Sequence, residues 1–233
     1  MKSLEDVLRG NREKIGNIVF LDLNGENSVV FDFTANNKEL AKVDMSNIEQ
    51  FDNFIQTALK RNGGRVGIGK YNEDRMIYRH SSLFGISESE SRTIHLGTDI
   101  FLPAGTKICA PLDSEIHSFQ NNKGLGNYGP TIILQHELDG IIFYTLYGHL
   151  SEESLYEKSE GQRIEKGGIF AEIGNKEVNG SWPEHVHFEI IKDMLGRKGD
   201  FPGVASIRER DKYLKICPNP NLILKIDKLN EIN

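Results

Sequence analysis

Between about Ser91 and Met194 the chain breaks into short β-rich runs, each closed by a glycine, asparagine or proline turn. No other feature constrains the fold as much. The runs include KICAP, SEIHSF, TIILQH, IIFYTLYGHL, GIFAEIG and HVHFEII. Strands this short and this numerous predict a compact antiparallel sheet domain rather than alternating βα units. Upstream, residues 17–23 (NIVFLDL) and 28–33 (SVVFDF) flank the turn residues Asn24-Gly25-Glu26-Asn27, which predicts a hairpin. Ile48, Phe51, Phe54, Ile55, Ala58 and Leu59 recur at spacings of three and four, the mark of one helix face, and Asn62-Gly63-Gly64 ends it. Short strands are expected at 66–68 and 76–78. Beyond Met194, Pro202, Pro218 and Pro220 punctuate a tail with one short helix expected near 206–214, and its NLILKI end should pack back on the body. The predicted organisation is mainly β. It comprises a small α/β N-terminal unit (1–90), a β domain (91–195) and a short helical C-terminal extension (196–233).

Composition excludes more than it assigns. A net charge of −6, with no Lys/Arg cluster interleaved with aromatics, argues against nucleic acid as partner. No apolar run approaches the ~20 residues of a membrane-spanning helix. The opening MKSLEDVLRGNREKIG mixes both charge signs and lacks the apolar core of a secretory signal. With Met1 as the native start, the expected location is the cytoplasm. Cys109 and Cys217 are too few for a disulfide scaffold. Cys109, inside KICAP, reads as a small buried hydrophobe.

Two histidine placements carry chemistry. In His185-Val186-His187 strand alternation puts both imidazoles on one face, with Val186 and Phe188 directed into a core behind them. In His95-Leu96-Gly97-Thr98-Asp99 a straight strand would hold the two side chains roughly 13 Å apart, too far to share an ion. The chain must therefore bend, and Gly97 is the residue able to take the required dihedrals. Two histidines and one carboxylate, with a position left for water, is the donor set of a catalytic zinc site; structural sites are closed and cysteine-rich. His80, His117 and His136 are expected at strand edges or on the surface, without partners. Glu189 shares a face with His187 and reads either as its partner or as a solvated strand residue. No H-E-x-x-H helix is present, so a glutamate base of that kind is excluded.

In family order, HLGTDI, PAGTKICAPLDSEI, GLGNYGPTIILQH, YTLYGHLS, GQRIEKGGIFAEIGN and HVHFEI span residues 95–190. Over roughly 92–191 this sequence resembles the lysostaphin-type, LytM-like zinc endopeptidases that cleave peptidoglycan. The resemblance implies a half-barrel catalytic fold of the duplicated hybrid type. It also implies zinc as cofactor, His95, Asp99 and His187 as metal ligands, and His149 and His185 as catalytic histidines that are not ligands. The choice of His149 over His136 rests on the resemblance alone. The implied activity is hydrolysis of peptide bonds in a peptide or peptidoglycan-derived substrate. The sequence says nothing of oligomeric state. The approach NKEVNGSWPEHVH, with Trp182, Pro183 and Glu184, departs from the usual Gly/Ser/Thr-rich lead into H-x-H. The flanking YNEDR, GDFPGV and CPNPNLIL resemble those of intracellular relatives. Two alternatives follow: a silent binding module of the same fold, or a cytoplasmic metallohydrolase acting on a non-wall substrate. A carrier hairpin at GQRIEKGGIFAEIG would need a modifiable lysine at its turn, and no suitable one is evident.

Overall fold

The computed structural model describes residues 2–26, 28–44, 47–80 and 91–230. Among these, the first part of the chain holds α1 (Leu4–Gly10), β1 (Ser28–Val30), α2 (Ile48–Arg61) and β2 (Val66–Gly69). The middle holds β3 (Arg92–His95), β4 (Thr98–Phe101), β5 (Lys107–Cys109), β6 (Ser114–Asn122), β7 (Gly129–Leu138) and β8 (Ile141–Gly148), then β9 (Arg163–Ile164), β10 (Ile169–Glu172) and β11 (His185–Ile191). The chain ends with β12 (Val204–Ser206), α3 (Arg210–Ile216) and α4 (Asn221–Leu224). One eight-stranded sheet runs β1-β2-β4-β11-β8-β7-β6-β9, and the pairs β10-β5 and β12-β3 lie apart from it. All pairings but β1-β2 are antiparallel. The mainly β, antiparallel architecture is the one the short runs predict.

The sheet's alternation separates chemistry from core. In β11, Val186, Phe188 and Ile190 enter the main core with Ile100 of β4 and Tyr147 of β8. His185, His187 and Glu189 occupy the other face and are also buried. Each fully buried aliphatic or aromatic side chain of that core contributes about 1.5–3 kcal/mol relative to exposure, so the register of β11 is firmly specified. That register pairs His187 with Asp99 on one side and with Gly148 on the other.

Three local expectations are corrected. Residues 17–23 and 28–33 do not form a hairpin. Val19 bridges Ile108, the Cys109 N–H donates to the Ile18 carbonyl, and β1 runs parallel to β2. A parallel pair needs a crossover, which α2 supplies. The β-branched runs signalled burial, and burial alone does not name a partner strand. Met76–His80 is a 3-10 turn rather than a strand; Ile77 and Tyr78 are buried against Phe33 and Phe51 without joining a ladder. Gly97, finally, is not left-handed. Its role is room, as shown below.

The α2 helix is as predicted, with Asn47 capping the N–H groups of Glu49 and Gln50. The tail helix begins with a 3-10 turn at Ile207–Glu209 capped by Ser206 and continues as α3. Ile223, Leu224 and Ile226 of the NLILKI end are buried in the main core. The N-terminal residues are continuous with the β domain, because β2 pairs with β4 and extends the same sheet. Cys109 is buried, in line with its apolar context.

Candidate metal centre

Strand register delivers two of the site's residues and a sharp turn delivers the third. Asp99 and His187 are direct cross-strand partners on one face. Leu96-Gly97 then folds β3 over that face, where β12 pairs with it and aligns Val204 with His95. The fold at Gly97 is tight: a Cβ there would lie 2.5 Å from His187 Cε1 and Nε2 and 2.7 Å from the Phe188 carbonyl oxygen. Only a residue without a side chain permits that approach.

The resulting atoms converge. His95 Nε2 lies 3.0 Å from His187 Nδ1, His187 Nδ1 lies 3.0 Å from Asp99 Oδ1, and His95 Nε2 lies 3.2 Å from Asp99 Oδ1. A tetrahedral ion bound at about 2.0–2.1 Å sets its donors about 3.3 Å apart, so this triangle fits such an ion closely. The far side of each histidine supports the same assignment. His95 Nδ1 faces the Lys70 carbonyl at 2.9 Å, and His187 Nε2 faces Glu189 Oε2 at 3.4 Å. If each outer nitrogen carries the proton toward its oxygen, both inner nitrogens are left as bare lone pairs. Glu189 is fully buried beneath His187, which excludes the solvated reading.

Electrostatics favour a cation at the same point. Burial pushes His187 down, but its hydrogen bonds to Asp99 and Glu189 outweigh that and hold it up at about 9. Burial and then the Arg75 charge drive His95 down to about 3. Burial opposes ionisation of Asp99, yet the charges of His95, Arg75 and His185 keep it well below the ordinary carboxylate range. In the protein alone a proton on His187 balances the carboxylates, and a metal ion can replace it there.

His149 and His185 stand beside the triangle, ring centroids 4.2 Å apart. His149 Nδ1 faces the Asn179 carbonyl at 2.8 Å and His185 Nδ1 faces the Pro183 carbonyl at 2.6 Å, so Nε2 of each is the available base. Burial lowers both, keeping them neutral near pH 7. His149 has φ of +63°, a left-handed conformation that costs a non-glycine residue about 1–2 kcal/mol. Backbone bonds on either side, from its N–H to Tyr128 and from the Gly174 N–H to its carbonyl, hold it there. Strain maintained at a buried histidine beside a metal-type cluster points to function.

The structure thus gathers His95, Asp99, His149, His185 and His187 in one place, none more than 5% exposed. His117 and His136 stay apart, but not as expected. His136 is buried in β7 with Nε2 2.7 Å from Thr145 Oγ1, and His117 lies 2.8 Å from Ser118 Oγ; both have partners. The His80 side chain lies outside the described residues. Sequence reasoning missed Arg75, which is buried with Nη1 2.5 Å from Asp99 Oδ2. Its only signal was its place in YNEDR.

Residues 93–199 match the family model of Peptidase family M23. This segment is similar to an M23 peptidase domain. The chain is similar to a curated protein, the peptidoglycan DD-endopeptidase ShyA of Vibrio cholerae: 28% identity over 121 residues, 50% of this chain and 25% of that protein. The chain therefore spans about a quarter of that relative's length. Among solved structures it is similar to the catalytic domain of lysostaphin from Staphylococcus simulans (24% identity, 57% of this chain and 80% of that one, TM-score 0.39). It is also similar to a zinc-containing peptidase from Vibrio cholerae (22% identity, 44% and 28% covered, TM-score 0.36). Segments outside the matched residues 93–199 complete the site's surroundings. A pocket of about 380 Å³ opens over it, walled by Phe33, Phe51 and Tyr78 from one flank and by Glu209 and Tyr213 from the other.

Proposed function

We propose that the chain is a zinc-dependent hydrolase of peptide bonds, of the peptidoglycan-endopeptidase type, acting on short peptides. The carrying observation is the convergence of His95 Nε2, Asp99 Oδ1 and His187 Nδ1 to within 3.0–3.2 Å of one another. The match of residues 93–199 to the model of Peptidase family M23 supports the same reading. Zinc bound by these three residues would supply a Lewis acid for the scissile carbonyl and an acidified water as nucleophile.

The protein's own groups account for the proton movements. Nε2 of His149 or of His185 accepts the proton lost by the attacking water, since each Nδ1 is committed to a carbonyl. The same nitrogens return a proton to the leaving amine. Protonated, either ring also donates to the oxyanion that forms on the former carbonyl. Burial of all five residues keeps bulk water away and strengthens each of these interactions.

The pocket favours a short substrate over a wall polymer. Its volume of about 380 Å³ is near the low end of the ~300–1,000 Å³ range of small-ligand sites. The aromatic walls from Phe33, Phe51 and Tyr78 suit apolar side chains. The test is digestion of a library of short peptides, wall-derived and not, alongside intact peptidoglycan, with and without chelator. Chelator-sensitive cleavage of short peptides is expected. If the zinc-loaded protein cleaves no amide bond in either class, the proposal is wrong; cleavage of the polymer alone would reject only the short-peptide part.

A further inference from the structure

The Asp99 carboxylate has two oxygens, and only Oδ1 faces the histidines. Oδ2 is occupied by Arg75 Nη1 at 2.5 Å. The guanidinium is itself fixed on every side. Nε donates to Glu73 Oε2 at 3.2 Å, Nη2 to the Lys70 carbonyl at 3.2 Å, and Nη1 also reaches the Tyr78 hydroxyl at 3.3 Å. The Phe33 ring lies beneath it at 5.0 Å. The Lys70 carbonyl is shared, because it also faces His95 Nδ1. The backbone repeats the clamp: the His95 N–H donates to Glu73, the Asn72 N–H to His95 and the Arg75 N–H to Thr93. Residues 70–75 therefore hold two of the three candidate ligands at once, and they lie outside the matched M23 segment.

We propose that Arg75 is a positioning residue of the metal centre: by occupying Asp99 Oδ2 it restricts Asp99 to one-oxygen coordination, and through the Lys70 carbonyl it fixes Asp99 and His95 together. An unrestrained carboxylate can bind an ion through one oxygen or both. With Oδ2 tied to a planar guanidinium fork, the second mode is closed. An ion held there would have three protein donors, His95, Asp99 and His187, and would keep a place for water. The inference rests on the proposed metal site.

Cobalt(II) provides the test, since its visible absorption is strong in four-coordinate sites and weak in five-coordinate ones. The metal-free full chain would be titrated with cobalt as wild type, Arg75→Met and Arg75→Lys, with circular dichroism to check folding. Wild type should bind one ion with a strong, four-coordinate spectrum. R75M should give a weaker, five-coordinate spectrum as Asp99 turns both oxygens to the metal. R75K keeps a cation on Oδ2 but loses the fork onto Lys70 and Glu73. It should retain the strong spectrum while binding about 10- to 100-fold more weakly, the usual effect of removing an outer partner. A folded R75M with the wild-type spectrum overturns the inference. Should R75M fail to fold, wild-type affinity in R75K overturns it instead. Absence of stoichiometric cobalt in wild type would reject the metal site itself, a separate failure.

Discussion

Replacing Gly97 by alanine tests whether the site depends on the close approach of β3 to β11. The new Cβ would sit 2.5 Å from His187 Cε1 and Nε2 and 2.7 Å from the Phe188 carbonyl oxygen. Non-bonded carbon atoms prefer about 3.5–4.0 Å, so something must yield by about 1 Å. The Phe188 carbonyl cannot, since β11 is paired with β4 and β8 on both sides. The His187 ring, or the turn carrying His95, must move. Metal–ligand distances tolerate only about ±0.2 Å, and the present donors are already at 3.0–3.2 Å from one another. Gly97 is not left-handed, so no backbone strain confuses the outcome. The expected loss of zinc affinity is at least about 10- to 100-fold, with about 1–3 kcal/mol of destabilisation from overpacking. Competition against a chromophoric chelator measures the first, and urea unfolding of the metal-free protein the second. Gly10→Ala is the control: nothing lies within 4 Å of its Cβ, and it should bind zinc normally. A folded G97A protein with wild-type zinc affinity would refute this account of the site.

Further expectations are narrower. His149→Asn, chosen because asparagine tolerates a left-handed backbone, should keep zinc and lose about 10²- to 10⁴-fold in peptide hydrolysis; full activity would remove His149 from the proton transfers. Zinc at a thousand times its dissociation constant should stabilise the fold by about 4 kcal/mol, read as a rise in Tm that chelator reverses, and an unchanged Tm would contradict the buried site. His136 is neutral in the fold, where burial lowers it to about 4. Below pH 6.5 the unfolded chain binds this proton and the folded one does not, so stability falls as pH drops toward 4. The share between pH 7 and pH 5 is about 2 kcal/mol. In metal-free protein, His136→Asn should flatten the urea-derived pH dependence by that amount, and an unchanged slope would show that His136 is not buried neutral.

What the sequence disclosed depended on whether a signal was local. His185 and His187 share a face because they are two apart in a strand, and the apolar residues between and after them fix which face is the core. The need for a bend between His95 and Asp99 followed from strand geometry, although the demand on Gly97 proved to be space for the His187 ring rather than an unusual dihedral. His149 had no local signature that separates it from His136; its identification came from family resemblance, and its positive φ is visible only in three dimensions. Arg75 was illegible for a different reason. Its role depends on Asp99, 24 positions away, and on the backbone carbonyl of Lys70, which no side-chain pattern reveals. The same blindness produced the hairpin expected over 17–33: NIVFLDL and SVVFDF announce burial, but one run sits against β5 and the other against β2.

Metal content decides the central claim most directly. The full chain, purified without chelators and dialysed against trace zinc, should carry one equivalent by elemental analysis. Asp99→Ala, which removes a donor from the centre of the triangle, should carry close to none while remaining folded. Zinc-free wild type, or an Asp99→Ala protein that still holds a full equivalent, would show that His95, Asp99 and His187 come together for some purpose other than gripping an ion.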